Sequence, residues 1–348
     1  MAASVVAVTG ISGFLGQQLA PRLEPVPGVT RIVGLDVRES PRRTAHLEHH
    51  RVDIAGHDLQ PLLAGVDTVV HLAAVVDPIA DDALMARVNV HGTRRVLDAA
   101  AAVGARTVIR VSTAAAYGAW PTNPVPLTED APLRPNPGFG PAVQAAEVER
   151  MLYEWQREHP DVTVTTLRAA PVLGAGAAHL WARLLTAPGR VRVRGEAPPV
   201  QVVHVDDVVS ALLCVVHGEH PGVFNVAAEG WLGPDAVAAL VPPATMPALP
   251  SEVLRRALAR TWATGVGDIP LGVVPYLVHP WVVASDRLEA LGWRPAYSIE
   301  ETLMETVDAA PTSAMPSLRT IAIVAGATAA GIAAGLTLRS LRRRAMRR

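Results

Sequence analysis

Apolar residues gather in short unbroken runs in the first third of this chain, at residues 4–9, 31–36, 68–74 and 107–113, each followed by a polar or glycine-rich break. The stretch 88–103, between the last two runs, reads as a helix. Strands that are apolar throughout and alternate with helices predict a parallel sheet covered on both faces. Right-handed crossovers then leave an α/β doubly wound sheet of Rossmann type as the simplest topology. Residues 242–250, rich in proline, read as a loop, and the aromatic run 275–281 reads as core packing or as the wall of an apolar pocket.

The first run passes directly into Thr9-Gly10-x-x-Gly13-Phe14-Leu15-Gly16. Gly10 permits a tight turn, Gly13 lets backbone approach a pyrophosphate, and Gly16 lets the new helix pack on the sheet. The anion would meet unpaired N–H groups at a helix N-terminus, where the dipole also favours negative charge. A glycine triplet alone also fits an ordinary strand-to-helix turn. Context adds weight: the second run ends on Asp36, 20 residues after Gly16, where a carboxylate can accept ribose hydroxyls and disfavours a 2′-phosphate. Arg38, Arg42 and Arg43 follow and read as a solvated loop, the alternative being that they soften that preference for NAD.

A wider set of residues occurs in an order that resembles the extended short-chain dehydrogenases/reductases, specifically their NAD-dependent epimerase/dehydratase branch. It comprises the fingerprint, Asp36, Asp53-Ile54, His71-Leu72-Ala73-Ala74, Asn89 before His91-Gly92-Thr93, Ser112-Thr113 with Tyr117-Gly118, Arg168 with Pro171, and Val203-His204-Val205-Asp206-Asp207. The resemblance covers roughly residues 4–305. It implies NAD as cofactor, held by Thr9, Gly10, Gly13, Phe14, Leu15, Gly16, Asp36, Asp53, Ile54, Leu72, Ala73, Ala74 and Asn89, with Asp53 at the adenine and Thr113 at the active-site hydroxyl position. It also implies a Rossmann domain at 1–171 completed by about 201–227, and a smaller substrate lobe at 172–200 and 228–306.

The chemistry of that family rests on a Tyr-x-x-x-Lys pair on the helix after the Thr113 strand. Counting back from Ala146-Glu147-Val148-Glu149-Arg150 puts Pro141 and Ala145 at those positions, and shifts of one or two residues do not restore the pair. The chain contains no lysine, so all 31 basic residues are arginine, whose planar fork replaces an ammonium poorly. Tyr153 with Arg157 imitates the spacing, but lies about 18 Å farther along the helix and reads as a packed residue. The resemblance implies a structural or substrate-side place for Tyr117-Gly118, and Tyr117 is the remaining stand-in, beside Thr113, for acid/base work. The alternatives are an oxidoreductase or epimerase acting on a nucleotide sugar or an apolar hydroxy compound, and a non-catalytic NAD-binding membrane-tethered scaffold or redox sensor.

His46, His49, His50 and His57 fall in a loop-like stretch and match no metal spacing. His204 with Asp206 and Asp207 reads as an acid capping a helix that begins near Val208, and the resemblance implies that His204 lies near a ligand. A net charge of −1 gives no electrostatic case for nucleic acid. The single Cys214 excludes an intrachain disulfide, and a strand starting by Ser4 leaves no signal peptide, which together predict a cytoplasmic globular part. After a linker at 307–320, residues 321–338 carry no charge and as a helix would span about 27 Å, near a bilayer core. The arginine-rich residues 339–348 follow. This reads as a membrane anchor meeting lipid, with a buried helix in a soluble cytoplasmic protein or an in-plane interfacial helix as alternatives. Gly331-x-x-x-Gly335 permits close helix approach and a homodimer.

Overall fold

The computed structural model describes residues 4–310, apart from residues 41, 43, 189, 217 and 246. The expected apolar span at 321–338 and the arginine tail lie outside the described residues. Among the described residues, no helix is long and apolar enough to cross a membrane.

The chain alternates as the hydrophobic pattern predicts. β1 (Ser4–Thr9), α1 (Phe14–Leu23), β2 (Val29–Asp36), β3 (Leu47–Arg51) and β4 (Thr68–His71) build one half of the sheet. α2 (Asp82–Ala86), a π-helical segment at Arg87–Gly92 and α3 (Thr93–Ala102) then cross to β5 (Thr107–Thr113), and α4 (Gly140–Glu158) crosses to β6 (Thr163–Ala169). The rest comprises β7 (Val172–Leu173), α5 (Leu180–Thr186), β8 (Val203–His204), α6 (Val205–Val216), β9 (Gly222–Val226), α7 (Pro234–Leu240), α8 (Ser251–Ala263), α9 (Asp286–Glu289) and α10 (Ile299–Asp308).

Seven strands form one sheet in the order β3-β2-β1-β4-β5-β6-β9, and each adjacent pair is parallel. The order reverses between β1 and β4, so a crevice opens at the carboxyl ends of those strands, where ligands bind in such sheets. Alternation along β1 splits the core: Val6 and Val8 pack with Leu19, Leu23 and Val208 on the α1/α6 face, and Ala7 packs with Val96, Val148 and Leu152 on the α3/α4 face. A third cluster, away from the sheet, joins Phe139, Leu180, Leu184, Leu254, Leu258 and Tyr276. α10 starts on a capping box, Ser298 with Glu301, which satisfies two of its end N–H groups.

Two expectations change. His49 and His50 belong to β3, not to a loop, because an edge strand pairs through its backbone and tolerates a polar sequence. The helix expected near Val208 begins at Val205, and the Asp207 carboxylate accepts from Ala296 N at 2.7 Å and Tyr297 N at 3.1 Å, pinning a later segment instead of capping.

Candidate functional site

The strand β1 ends at Thr9, and Gly10 turns the chain at φ +73°, a left-handed conformation that costs glycine nothing. A Cβ at Gly10 would meet Ala73 N at 2.7 Å, and one at Gly16 would meet Ile11 Cα at 2.6 Å, so both positions are closed to any side chain. No side chain caps α1 at Gly13. Its first-turn N–H groups therefore stay available to an anion. The turn opens into a cleft of about 320 Å³ lined on one side by Gly10, Gly13, Phe14, Leu15 and Gly16, and on the other by Leu72, Ala73, Ala74, Asn89 and Thr113.

A directed chain of hydrogen bonds holds the two sides together. Ala73 N donates to Thr9 Oγ1 at 3.2 Å, and Thr9 Oγ1 lies 2.7 Å from His71 Nδ1. His71 Nε2 lies 2.8 Å from Thr93 Oγ1, whose hydroxyl donates to Asn89 O at 2.5 Å. With the Thr93 proton committed to Asn89, Nε2 donates, and in the neutral ring Nδ1 accepts from the Thr9 hydroxyl. Burial, with Arg110 adding to it, pushes His71 down to about 3. The Asn89 side chain accepts from Val75 N at 2.7 Å and donates to Val75 O at 3.1 Å and to Gln144 Oε1 at 2.9 Å, fixing the loop after β4.

Asp36 is buried, and its two oxygens accept from Ser12 N and Arg38 N, each at 3.0 Å. Each oxygen keeps a lone pair for a diol. The Arg38 guanidinium lies 3.6 Å from Asp36 and is the group that reaches the cleft there. Asp53 and Ile54 do not line the cleft: Asp53 accepts from Ala55 N and pairs with Arg87 at 2.8 Å, contacts that hold its carboxyl below the usual range, the Ala55 bond leading. Ile54 is buried.

Pro141 and Ala145, at the two positions counted back from the α4 sequence, both line the cleft. Neither carries a proton. Thr113 lines it too, with its hydroxyl accepting from Ala115 N at 3.2 Å. The structure does not bring Tyr117 there. Its ring is 1% exposed, and its hydroxyl donates to Asn225 Oδ1 at 2.8 Å and accepts from Arg168 Nη1 at 2.6 Å. Burial pushes its pKa up to about 12 even against the Arg168 charge. Tyr153 is on the outer face of α4 and 69% exposed, so it is not packed. His204 does not line the cleft. It is buried, stacks on Tyr297 at 3.7 Å and lies 3.1 Å from Glu305. Among the described residues no group of histidine, cysteine or acidic side chains is disposed to hold a metal ion.

The sequence reading missed several members of the site. Arg110, His179 and Trp181 also line the cleft, beside Ser112 of the Ser112-Thr113 motif. The His179 Nε2 lies 2.7 Å from Val172 O, and burial holds the ring below the usual imidazole range. Arg110 is a charge set mid-strand in a covered sheet, a signal legible from Thr107-Val108-Ile109-Arg110-Val111 itself. A second cavity, about 250 Å³, shares Ala170, Pro171 and Trp181 with the cleft and is walled by Tyr276, Trp281, Arg190 and Arg192. The run 275–281 thus faces a pocket through Tyr276, Leu277 and Trp281.

Comparison with known proteins agrees with this architecture. The sequence model of the NAD dependent epimerase/dehydratase family matches residues 6–227, more than half of the chain. An uncharacterised protein of Mycobacterium tuberculosis is 31% identical over 237 residues, which is 66% of this chain and 63% of that protein, so the match spans less than two thirds of its length. A 3-diazoavenalumate denitrifying reductase of a Streptomyces species is 29% identical over 321 residues, covering 84% of this chain and 96% of that enzyme. The solved structure of MoeE5 in complex with UDP-glucuronic acid and NAD superimposes with a TM-score of 0.70 at 24% identity, covering 88% of this chain and 98% of MoeE5. At that identity the likeness is one of fold.

Proposed function

Because the chain belongs to the NAD-dependent epimerase/dehydratase family, we propose that it binds NAD along the first cleft and passes a hydride between the nicotinamide and a small molecule in the second cavity. The observation that carries this reading is the uncapped N-terminus of α1 behind the Gly10 turn, opening on a cleft of about 320 Å³. Thr9, Gly10, Gly13, Phe14, Leu15, Gly16, Leu72, Ala73, Ala74 and Asn89 would hold the cofactor, with Asp36 and Arg38 at its adenosine end. Bound NAD would accept or supply the hydride. The residues of the chain bind, orient and shield it: the His71 chain fixes the glycine turn against Ala73, and Thr113 offers a hydroxyl to the substrate.

The substrate lobe at 172–200 and 228–306 would supply a nucleotide sugar or an apolar hydroxy compound through the cavity walled by Trp181, Tyr276 and Trp281, with Arg190 and Arg192 suited to an anionic part. The UDP-glucuronic acid held by MoeE5 supports the first class. A second reading is favoured by Pro141 and Ala145: a cleft without the acid/base pair suits a non-catalytic, NAD-binding scaffold or redox sensor. A positioned acid/base supplies about 10² to 10⁴ in rate. Residual turnover would therefore be slow.

Calorimetry with NAD and NADH tests both readings, and no binding at millimolar cofactor would sink them together. Absorbance of the reduced nicotinamide with UDP-sugars and aromatic alcohols then separates them: cofactor-dependent turnover lost in Thr113→Ala excludes the scaffold. The apolar stretch 321–338, outside the described residues, supports attachment to a membrane, which flotation of the full chain with liposomes tests.

A further inference from the structure

Arg110 sits in the middle of β5, in register with His71 on β4, and its side chain lines the first cleft. It is 8% exposed, and its Nη1 is buried with no hydrogen-bond partner among the described residues. Glu149 is the carboxylate whose charge acts on it. That carboxylate is already committed: Oε1 accepts from Ser112 Oγ at 2.5 Å, and Oε2 accepts from Arg168 Nε at 2.9 Å and Nη2 at 2.7 Å. Buried cations are ordinarily paired, because taking one from water without a partner is costly. The guanidinium therefore brings a charge with no committed carboxylate to the wall of a ligand cleft, where an electron-rich ligand atom would answer it.

Sheet order says which atom. The Asp36–Arg38 end lies on β2, the glycine turn follows β1, and Arg110 lies on β5, two strands past the turn. A dinucleotide with its diphosphate on the α1 N-terminus and its first nucleoside toward Asp36 must lay its second nucleoside over β4 and β5. From the opposite wall, α4 offers Pro141 and Ala145, which cannot donate, and the chain has no lysine.

We propose that Arg110 is the cation at this end of the cleft and donates from its guanidinium to the hydroxyls of the ribose in the second nucleotide of the cofactor, reaching it from the sheet and not from α4. The proposal rests on the NAD reading above. Its test separates the two by measuring NAD, ADP-ribose and ADP, which lacks the second ribose, on wild type and on Arg110→Met.

Wild type binding no NAD sinks the NAD reading before any variant is compared. If wild type binds, Arg110→Met should weaken NAD and ADP-ribose by about 10- to 100-fold, as expected for a charge-assisted hydrogen bond, and leave ADP unchanged. The ligand-free variant should melt no lower than wild type, since the substitution orphans no partner. Equal weakening of all three ligands assigns Arg110 to the diphosphate or to the fold and overturns the proposal. Unchanged NAD and ADP-ribose affinity also overturns it. Should Arg110→Met fail to fold, Arg110→Gln carries the same comparison of NAD against ADP.

Discussion

The neutral, buried imidazole of His71 makes folding stability depend on pH in a defined window. In the folded chain its pKa is pushed down to about 3, whereas unfolded it returns to its ordinary value of 6.5. Between those values the unfolded chain binds a proton that the folded chain refuses. The contribution of His71 is thus complete above about pH 6.5 and is lost progressively as pH falls toward about 3. A displacement of about 3.5 pKa units corresponds to about 5 kcal/mol over the whole window, of which about 2 kcal/mol has gone by about pH 5.

The hydrogen-bond chain explains the direction. A second ring proton on Nδ1 would face the Thr9 hydroxyl, which would have to surrender its own acceptor to receive it. Urea unfolding of wild type and His71→Gln at about pH 7.5 and about pH 5 measures the effect. The variant should start less stable but lose about 2 kcal/mol less across that interval. His179 is also held low by burial, yet it titrates in both proteins and cancels in the difference. Equal losses in the two proteins would refute the argument.

Two substitutions probe the rest of the site. Gly16→Ala forces a methyl to within 2.6 Å of Ile11 Cα, and should cost about 1–3 kcal/mol in thermal unfolding while abolishing NAD binding by calorimetry; undiminished binding would mean that the turn does not hold the cofactor. Tyr117→Phe removes a hydroxyl shared by Arg168 and Asn225, and should cost about 1–3 kcal/mol of stability with the NAD dissociation constant unchanged; a loss of turnover at intact stability would instead return Tyr117 to the chemistry.

The glycine turn, β5 and the Pro141/Ala145 positions were legible because each depends on local spacing: a strand's apolar run, a forced φ, a helix phase. Tyr117 was not. Its ring is oriented by Arg168 and Asn225, which lie 51 and 108 residues away and meet it only when β6 and β9 join the sheet. Asp53 follows the expected order of motifs and also pairs with Arg87, a partner that no motif contains. Arg110 was passed over for a different reason. Averaging hydrophobicity over a run hides a single charge, and in a sheet covered on both faces that single charge carries the information.

Trp181 belongs to the walls of both cavities, and its ring lies 4.9 Å from Trp281, 5.6 Å from Phe139 and 5.8 Å from Tyr276. The partition between the two chambers is therefore also a chromophore. At these separations excitation absorbed anywhere in the aromatic cluster migrates across it, and the emission of indole overlaps the absorption of a reduced nicotinamide. Reduction state in one chamber and occupancy of the other would both register in the same band of intrinsic light.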